Sequence, residues 1–202
     1  MSIAKEYISG LKKAYSDCDA QEEWAHFEKI IHGASTKNMK KLKEIYPDIP
    51  LSLIELLEFV DGTYWREYQG EKIAFYFLGS DIGCYAYYLL SSQEMIEHQN
   101  YIRNHYFYEE YIDRKFEDIY VSEKIIDCSK DVQWLHFSDC MNNGGTSQLF
   151  IDFSPSDKGK KGQIVRYLHD PDELEVIADS FDEYLKMLMG NYNDFINDDL
   201  IF

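Results

Sequence analysis

Five carboxylates stand where chemistry could use them: Asp61, Glu67, Asp81, Asp139 and Asp152, each in a turn-rich stretch or at the end of an apolar run. Two of them facing across a cleft would suffice for acid-base hydrolysis, provided their surroundings drove their pKa values apart. His136 lies in a strand-like run and His169-Asp170 closes another, with Asp139, Asp152 and Asp157 between them, so a metal site could be assembled there. The chain nevertheless has no HExxH, no HxH and no Cys/His cluster of ligand spacing. Ser147 and Ser154 have no GxSxG context and no identifiable base. The stretch Gly79-Ser80-Asp81-Ile82-Gly83 lacks GxGxxG spacing and a following lysine, so it reads as a hairpin turn rather than a phosphate cradle. The expectation is a protein without catalytic residues, metal or cofactor, whose work is binding.

Charge narrows what it would bind. A net charge of -17 opposes attachment to a nucleic-acid backbone or an anionic membrane, both of which need a basic footprint, and favours a basic protein partner. The first 43 residues are lysine-rich and net positive, so the acidity falls on residues 44 to 202. The 17 Tyr, 12 Phe and 3 Trp exceed what one core needs, which places some aromatics at a surface. Cys18, Cys84, Cys128 and Cys140 are too dispersed for a CxxC ligand pair, and read as reduced, mostly buried thiols. With no signal-like apolar core and no apolar run of membrane length, a cytoplasmic location and a monomer are expected.

The elements that must position these residues follow from periodicity. Ile3, Tyr7, Leu11 and Tyr15 recur every four residues, predicting a helix, and Gln21 to Ile31 predicts a second with Trp24, Phe27 and Ile30 on one side. Ser35 or Thr36 caps a third helix that Pro47 stops, and Pro50 leads a fourth that ends at Asp61-Gly62. A sheet is predicted to begin at Lys72 to Leu78 and Cys84 to Leu90. Residues 92 to 127 read as a helical, tyrosine-laden insertion packed on the sheet edge, with Ser92 as its cap. Trp134 to Phe137, Gln148 to Phe153, Gln163 to Leu168 and Leu174 to Ile177 read as strands, and Asp179 to Met189 as a helix with Phe181, Tyr184, Leu185 and Leu188 on one face. The fold class is α+β: N-terminal helices, a mostly antiparallel sheet of about six strands, a helical insertion and a closing helix.

The series Pro50 to Gly62, Leu78-Gly79-Ser80-Asp81, Trp134-Leu135-His136-Phe137, Gly144-Gly145, Leu149-Phe150-Ile151-Asp152, Pro155, Gly159, Gly162-Gln163, His169 and Ala178-Asp179-Ser180-Phe181 with Tyr184-Leu185 resembles the SUKH superfamily, also called the Smi/Knr family. It covers residues 37 to 189, which leaves 1 to 36 as a helical extension and 190 to 202 as a tail. The resemblance implies an α+β binding scaffold without catalytic residues, of the type in which bacterial members act as immunity proteins against polymorphic toxins, often nucleases, while a fungal branch regulates cell-wall synthesis. Three features depart from the family pattern: Asp61-Gly62 where Asn-Gly is common, Asn142-Asn143 where acidic residues are common, and a longer segment from Tyr101 to Asp127.

The functional expectation is an immunity protein that neutralises a basic toxin domain. A regulatory scaffold of the cell-wall type and a carboxylate-dependent hydrolase are the alternatives. The expected contact surface is Asp61, Tyr64, Trp65, Glu67 and Tyr68 after the fourth helix, Asp81 in the glycine loop, and Asp139 with Asn142 and Asn143.

Overall fold

The computed structural model describes residues 2–83, 85–140 and 147–197. The chain opens with four helices, α1 (Ile3–Asp17), α2 (Gln21–Ile30), α3 (Thr36–Ile45) and α4 (Leu51–Phe59). Ser35 caps α3 by accepting a hydrogen bond from the Asn38 amide, and Pro50, with its fixed φ, leads α4. A hairpin of β1 (Tyr64–Tyr68) and β2 (Glu71–Ala74) follows, then β3 (Tyr88–Leu89). Helices α5 (Ser92–Glu97), α6 (Tyr101–Asn104) and α7 (Tyr106–Ile112) lead to β4 (Tyr120–Val121). The chain then runs through β5 (Trp134–Cys140), β6 (Ser147–Asp152), β7 (Gln163–Leu168), β8 (Glu173–Ala178) and α8 (Phe181–Gly190).

The main sheet has six strands in the order β3-β5-β6-β7-β8-β4, antiparallel except for the parallel β4–β8 pair, so the architecture is α+β as expected. Both faces are buried, which is why β6 and β7 contain no exposed residue. One face, with Leu135, Phe137, Leu149, Ile151 and Ile164, packs into a core shared with α1, α2, α4 and α8. The opposite face, with Trp134, Phe150, Val165, Tyr167 and Leu174, is covered by Ile102, Tyr108 and Ile112 of the tyrosine-rich segment. That segment therefore lies across a face, where its rings exclude water, and not along an edge. Its final residues do reach an edge, because β4 extends the sheet beyond β8.

Two local expectations are corrected. Lys72 to Leu78 and Cys84 to Leu90 do not form one regular hairpin among the described residues. Tyr64 to Tyr68 instead pairs with Glu71 to Ala74, because Gln69 (φ 53) and Gly70 (φ 87) both adopt the left-handed conformation that a tight two-residue turn demands. Among the described residues the two runs first predicted meet through an isolated Leu78–Tyr87 bridge, with the Phe77 amide also donating to the Tyr87 carbonyl. The cap of α5 is Ser91, not Ser92: Ser91 and Glu94 form a reciprocal capping box, as the S-x-x-E spacing allows. Among the described residues no helix is long and apolar enough to cross a membrane.

Candidate functional site

Asp61 and Tyr68 lie inside the protein. Asp61 Oδ1 accepts from the Ser92 amide at 2.7 Å and its Oδ2 from Arg66 at 3.0 Å, so this carboxylate ties the end of α4 to the start of α5. Gly62 beside it has φ +91, and a Cβ there would meet the Ser91 backbone at 2.8 Å, so only glycine fits. The Tyr68 hydroxyl donates to the Gly62 carbonyl at 2.8 Å.

What remains outside is the hairpin itself. Trp65 is 62% exposed and holds φ 47, in the left-handed region that a bulky side chain rarely enters, at a bulge between Tyr64 and Arg66. Strain of this kind costs on the order of 1–3 kcal/mol and concentrates at functional positions. Behind Trp65 runs an aromatic ladder. Tyr64 meets Trp65 edge-on at 6.3 Å and Tyr88 of β3 at 4.5 Å, and Tyr88 meets Tyr76 at 4.9 Å. Thr63, at the hairpin's root, bonds to both the carbonyl and the amide of Leu89, fixing the hairpin against the β3 edge of the sheet. Tyr88 is also the register partner of Asp139 on β5, which sets Asp139 beside the ladder, and Glu67 is exposed on the same hairpin. Asn142 and Asn143 follow β5 but lie outside the described residues, as does Gly144-Gly145.

Asp81 is elsewhere. Its carboxylate receives Nε of Arg166 at 2.6 Å and Nη2 at 3.1 Å, and Nη1 of the same buried guanidinium lies 2.7 Å from Glu173. The two carboxylates raise the Arg166 pKa against the opposing effect of burial, so the cation is retained inside the fold.

Asp152 is a turn organiser rather than an acid or base. It accepts from the Ser154 amide at 2.7 Å and from Gln163 at 2.9 Å, while Gln163 also bonds the Lys124 carbonyl and the Lys160 amide. Burial pushes its carboxyl upward, opposed by these hydrogen bonds. Asp152-x-x-Pro155 and Gly162-Gln163 thus build the β6–β7 connection. Gly159 lets the chain pass the Lys124 carbonyl, which a Cβ would approach to 2.4 Å.

Asp139 heads a buried polar network that spacing in the sequence did not reveal. Its Oδ1 accepts from His136 Nε2 at 2.8 Å and Gln148 Nε2 at 3.1 Å, and His136 Nδ1 is 3.0 Å from Nδ1 of His98. Burial would raise the Asp139 carboxyl, but His136, then Gln148 and His98, hold it below the usual range. His98 sits 38 residues before His136, so only the fold brings them together. Among the described residues no group of three or more His, Cys, Asp or Glu side chains is disposed to hold a metal ion. Of the five carboxylates considered for hydrolysis, Asp61, Asp81, Asp139 and Asp152 are each engaged in a separate structural contact, and Glu67 is exposed on the hairpin.

A family model described as SMI1 / KNR4 family (SUKH-1) matches residues 33–187, well over half of the chain. No curated protein matches it.

Proposed function

Since the chain belongs to the SMI1 / KNR4 family (SUKH-1), we propose that it is a non-catalytic protein-binding module of the immunity type, which captures a basic toxin domain on the β1–β2 hairpin and the adjoining β3 edge. The observation that carries this reading is Trp65: a large aromatic held 62% exposed in a costly backbone conformation, backed by the Tyr64–Tyr88–Tyr76 ladder. Tryptophan and tyrosine on a rigid base bring large contact area with little loss of side-chain entropy, which is how a few residues come to dominate an interface. The charge of -17 supports a basic partner, because it would accelerate encounter by steering. In this reading Glu67 contributes to steering, Asp61 and Tyr68 support the surface from beneath, and Asp81 acts on it only through the fold. Asp139 adjoins it through its pairing with Tyr88, while Asn142 and Asn143 lie outside the described residues.

Co-expression with a toxin domain encoded beside this chain is expected to relieve that domain's toxicity; failure to relieve it overturns the immunity reading. Within the complex, Trp65→Ala is expected to weaken binding by at least about thirty-fold, the loss of about 2 kcal/mol typical of a central aromatic, without lowering the unfolding midpoint. Glu67→Lys should slow association at low salt and much less at high salt. Calorimetry and stopped-flow measurements test both, and wild-type affinity in the Trp65 variant would move the contact surface away from the hairpin.

A further inference from the structure

Apart from any contact Asp139 makes with a partner, the Asp139–His136–His98 chain joins the sheet to its tyrosine-rich cover. His136 is buried on β5, whereas His98 is half-buried in the short 3-10 turn between α5 and α6. The two imidazole planes differ by 14°, with centroids 5.1 Å apart and Nδ1 facing Nδ1 at 3.0 Å. At that centroid separation the rings meet edge to edge through one N–H···N hydrogen bond.

The proton positions follow from the partners. Asp139, ionised, offers only lone pairs, and it already accepts from Gln148, so His136 Nε2 must donate to it. In the neutral ring His136 Nδ1 is then an acceptor, and Nδ1 of His98 is the donor. Nε2 of His98 keeps its lone pair and has no partner among the described residues. The linked pair can take one further proton, at that nitrogen, with every hydrogen bond intact. A second would have to enter at His136 Nδ1, directly against the N–H of His98.

We infer that Asp139, His136 and His98 form a proton-controlled latch that holds the tyrosine-rich cover on the sheet near neutral pH and releases it on mild acidification. The contacts that the latch organises are specific. Tyr101, three residues beyond His98, packs its ring 4.5 Å from His136 and accepts from Gln148 at 2.6 Å, and Tyr108 of α7 donates to the same amide. The titratable groups facing the pair are Glu94 and Glu97 from α5, Asp139 from β5, Tyr101 from α6 and, through Gln148, Tyr108 from α7. The carboxylates favour the first added proton. Burial of His98, together with the neighbouring His136, opposes it and lowers the His98 pKa.

The sign is fixed by linkage. With its pKa lowered in the folded state, His98 supports the closed cover above the ordinary histidine pKa, and that support is lost as pH falls through it. The open state binds at least one more proton than the closed one, so closure should weaken by up to about tenfold per pH unit below about pH 6. Asp139, whose pKa is also lowered, withdraws its support only below the usual carboxylate range, so the two windows are separate.

Amide hydrogen exchange on the full chain tests this. Between about pH 7 and about pH 5, protection in α6 and α7 is expected to fall several-fold, up to about tenfold, relative to α8, after correction for the intrinsic pH dependence of exchange. The variant His98→Asn places a non-titrating amide donor at the position of Nδ1 and should keep the cover protected across the whole range. Nitrogen-15 spectra of the wild-type rings at neutral pH supply a reading that no variant can compromise: Nδ1 of His98 and Nε2 of His136 should be the protonated nitrogens. The opposite tautomers, a pH-independent cover in the wild type, or an unchanged pH response in folded His98→Asn would each overturn the latch.

Discussion

Phe27→Ala is expected to lower the unfolding free energy by about 3–5 kcal/mol, although Phe27 lies before the matched family region of residues 33–187. The Phe27 ring is buried and stacks on Phe75 at 4.0 Å with 7° between planes, and Trp24, Phe59 and Phe77 surround it within 6.4 Å. α1 is built in with it: Tyr7 donates to the Phe77 carbonyl at 2.5 Å and Tyr15 to the Tyr76 carbonyl at 2.7 Å. Phe75, Tyr76 and Phe77 have few regular strand bonds of their own, so α1 and α2 supply both the apolar cover and part of the hydrogen bonding that this segment needs. Truncating Phe27 opens a ring-sized hole between elements that hold one another in place and cannot easily collapse. Urea unfolding with an unchanged m value checks the size of the effect, and a loss below about 1 kcal/mol would make α2 a peripheral addition.

Removing both carboxylates that hold Arg166, with Asp81→Ala and Glu173→Ala together, is expected to destabilise the fold by about 3–5 kcal/mol, and by more than Arg166→Met does. The asymmetry comes from burial. The Arg166 side chain is 4% exposed, whereas those of Asp81 and Glu173 are 33% and 26% exposed. Without its partners the guanidinium remains an uncompensated charge in a low-dielectric setting. When Arg166 becomes methionine, the carboxylates can recover hydration and the new side chain fills much of the vacated space. Chemical denaturation of the two variants decides the order, and a larger loss for Arg166→Met would show that the carboxylates repel one another more than the buried cation is stranded. The same geometry disqualifies Asp81→Lys as a pure probe of electrostatic steering, since it would place a second cation against Arg166. Glu67 is the cleaner position.

Much of the fold was legible in the chain because its signals are local. The apolar period of α1, α2 and α8, the proline before α4, and the apolar runs of β5 to β8 each report a face that must be buried, whatever it packs against. β1 is not legible in the chain because, although its burial alternates, Trp65 takes an exposed position and Arg66 a half-buried one, so residue type does not follow the alternation. β4 escaped because two residues carry no period, and because its partner β8 lies more than fifty residues further along the chain. Of the expected contact residues, Trp65 and Glu67 were readable as exposed loop chemistry. Asp61 and Tyr68, with the same residue types, are inside, where a helix start and a backbone carbonyl claim them.

By itself the sequence determined the α+β class, the family, the acidic surface and the dispersal of cysteines and serines that removes the familiar catalytic patterns. These depend on residue type and short-range spacing, which folding does not alter. The tertiary structure alone decided which polar groups meet: Arg166 with Asp81, Asp152 with Gln163, and His98 with His136. Such pairings join residues 85, 11 and 38 positions apart, and their energies depend on distance and burial that no local pattern encodes. It also decided that the tyrosine-rich segment shields a sheet face, because a six-stranded sheet already covered on one side by helices has a second apolar face that only chain from elsewhere can keep dry.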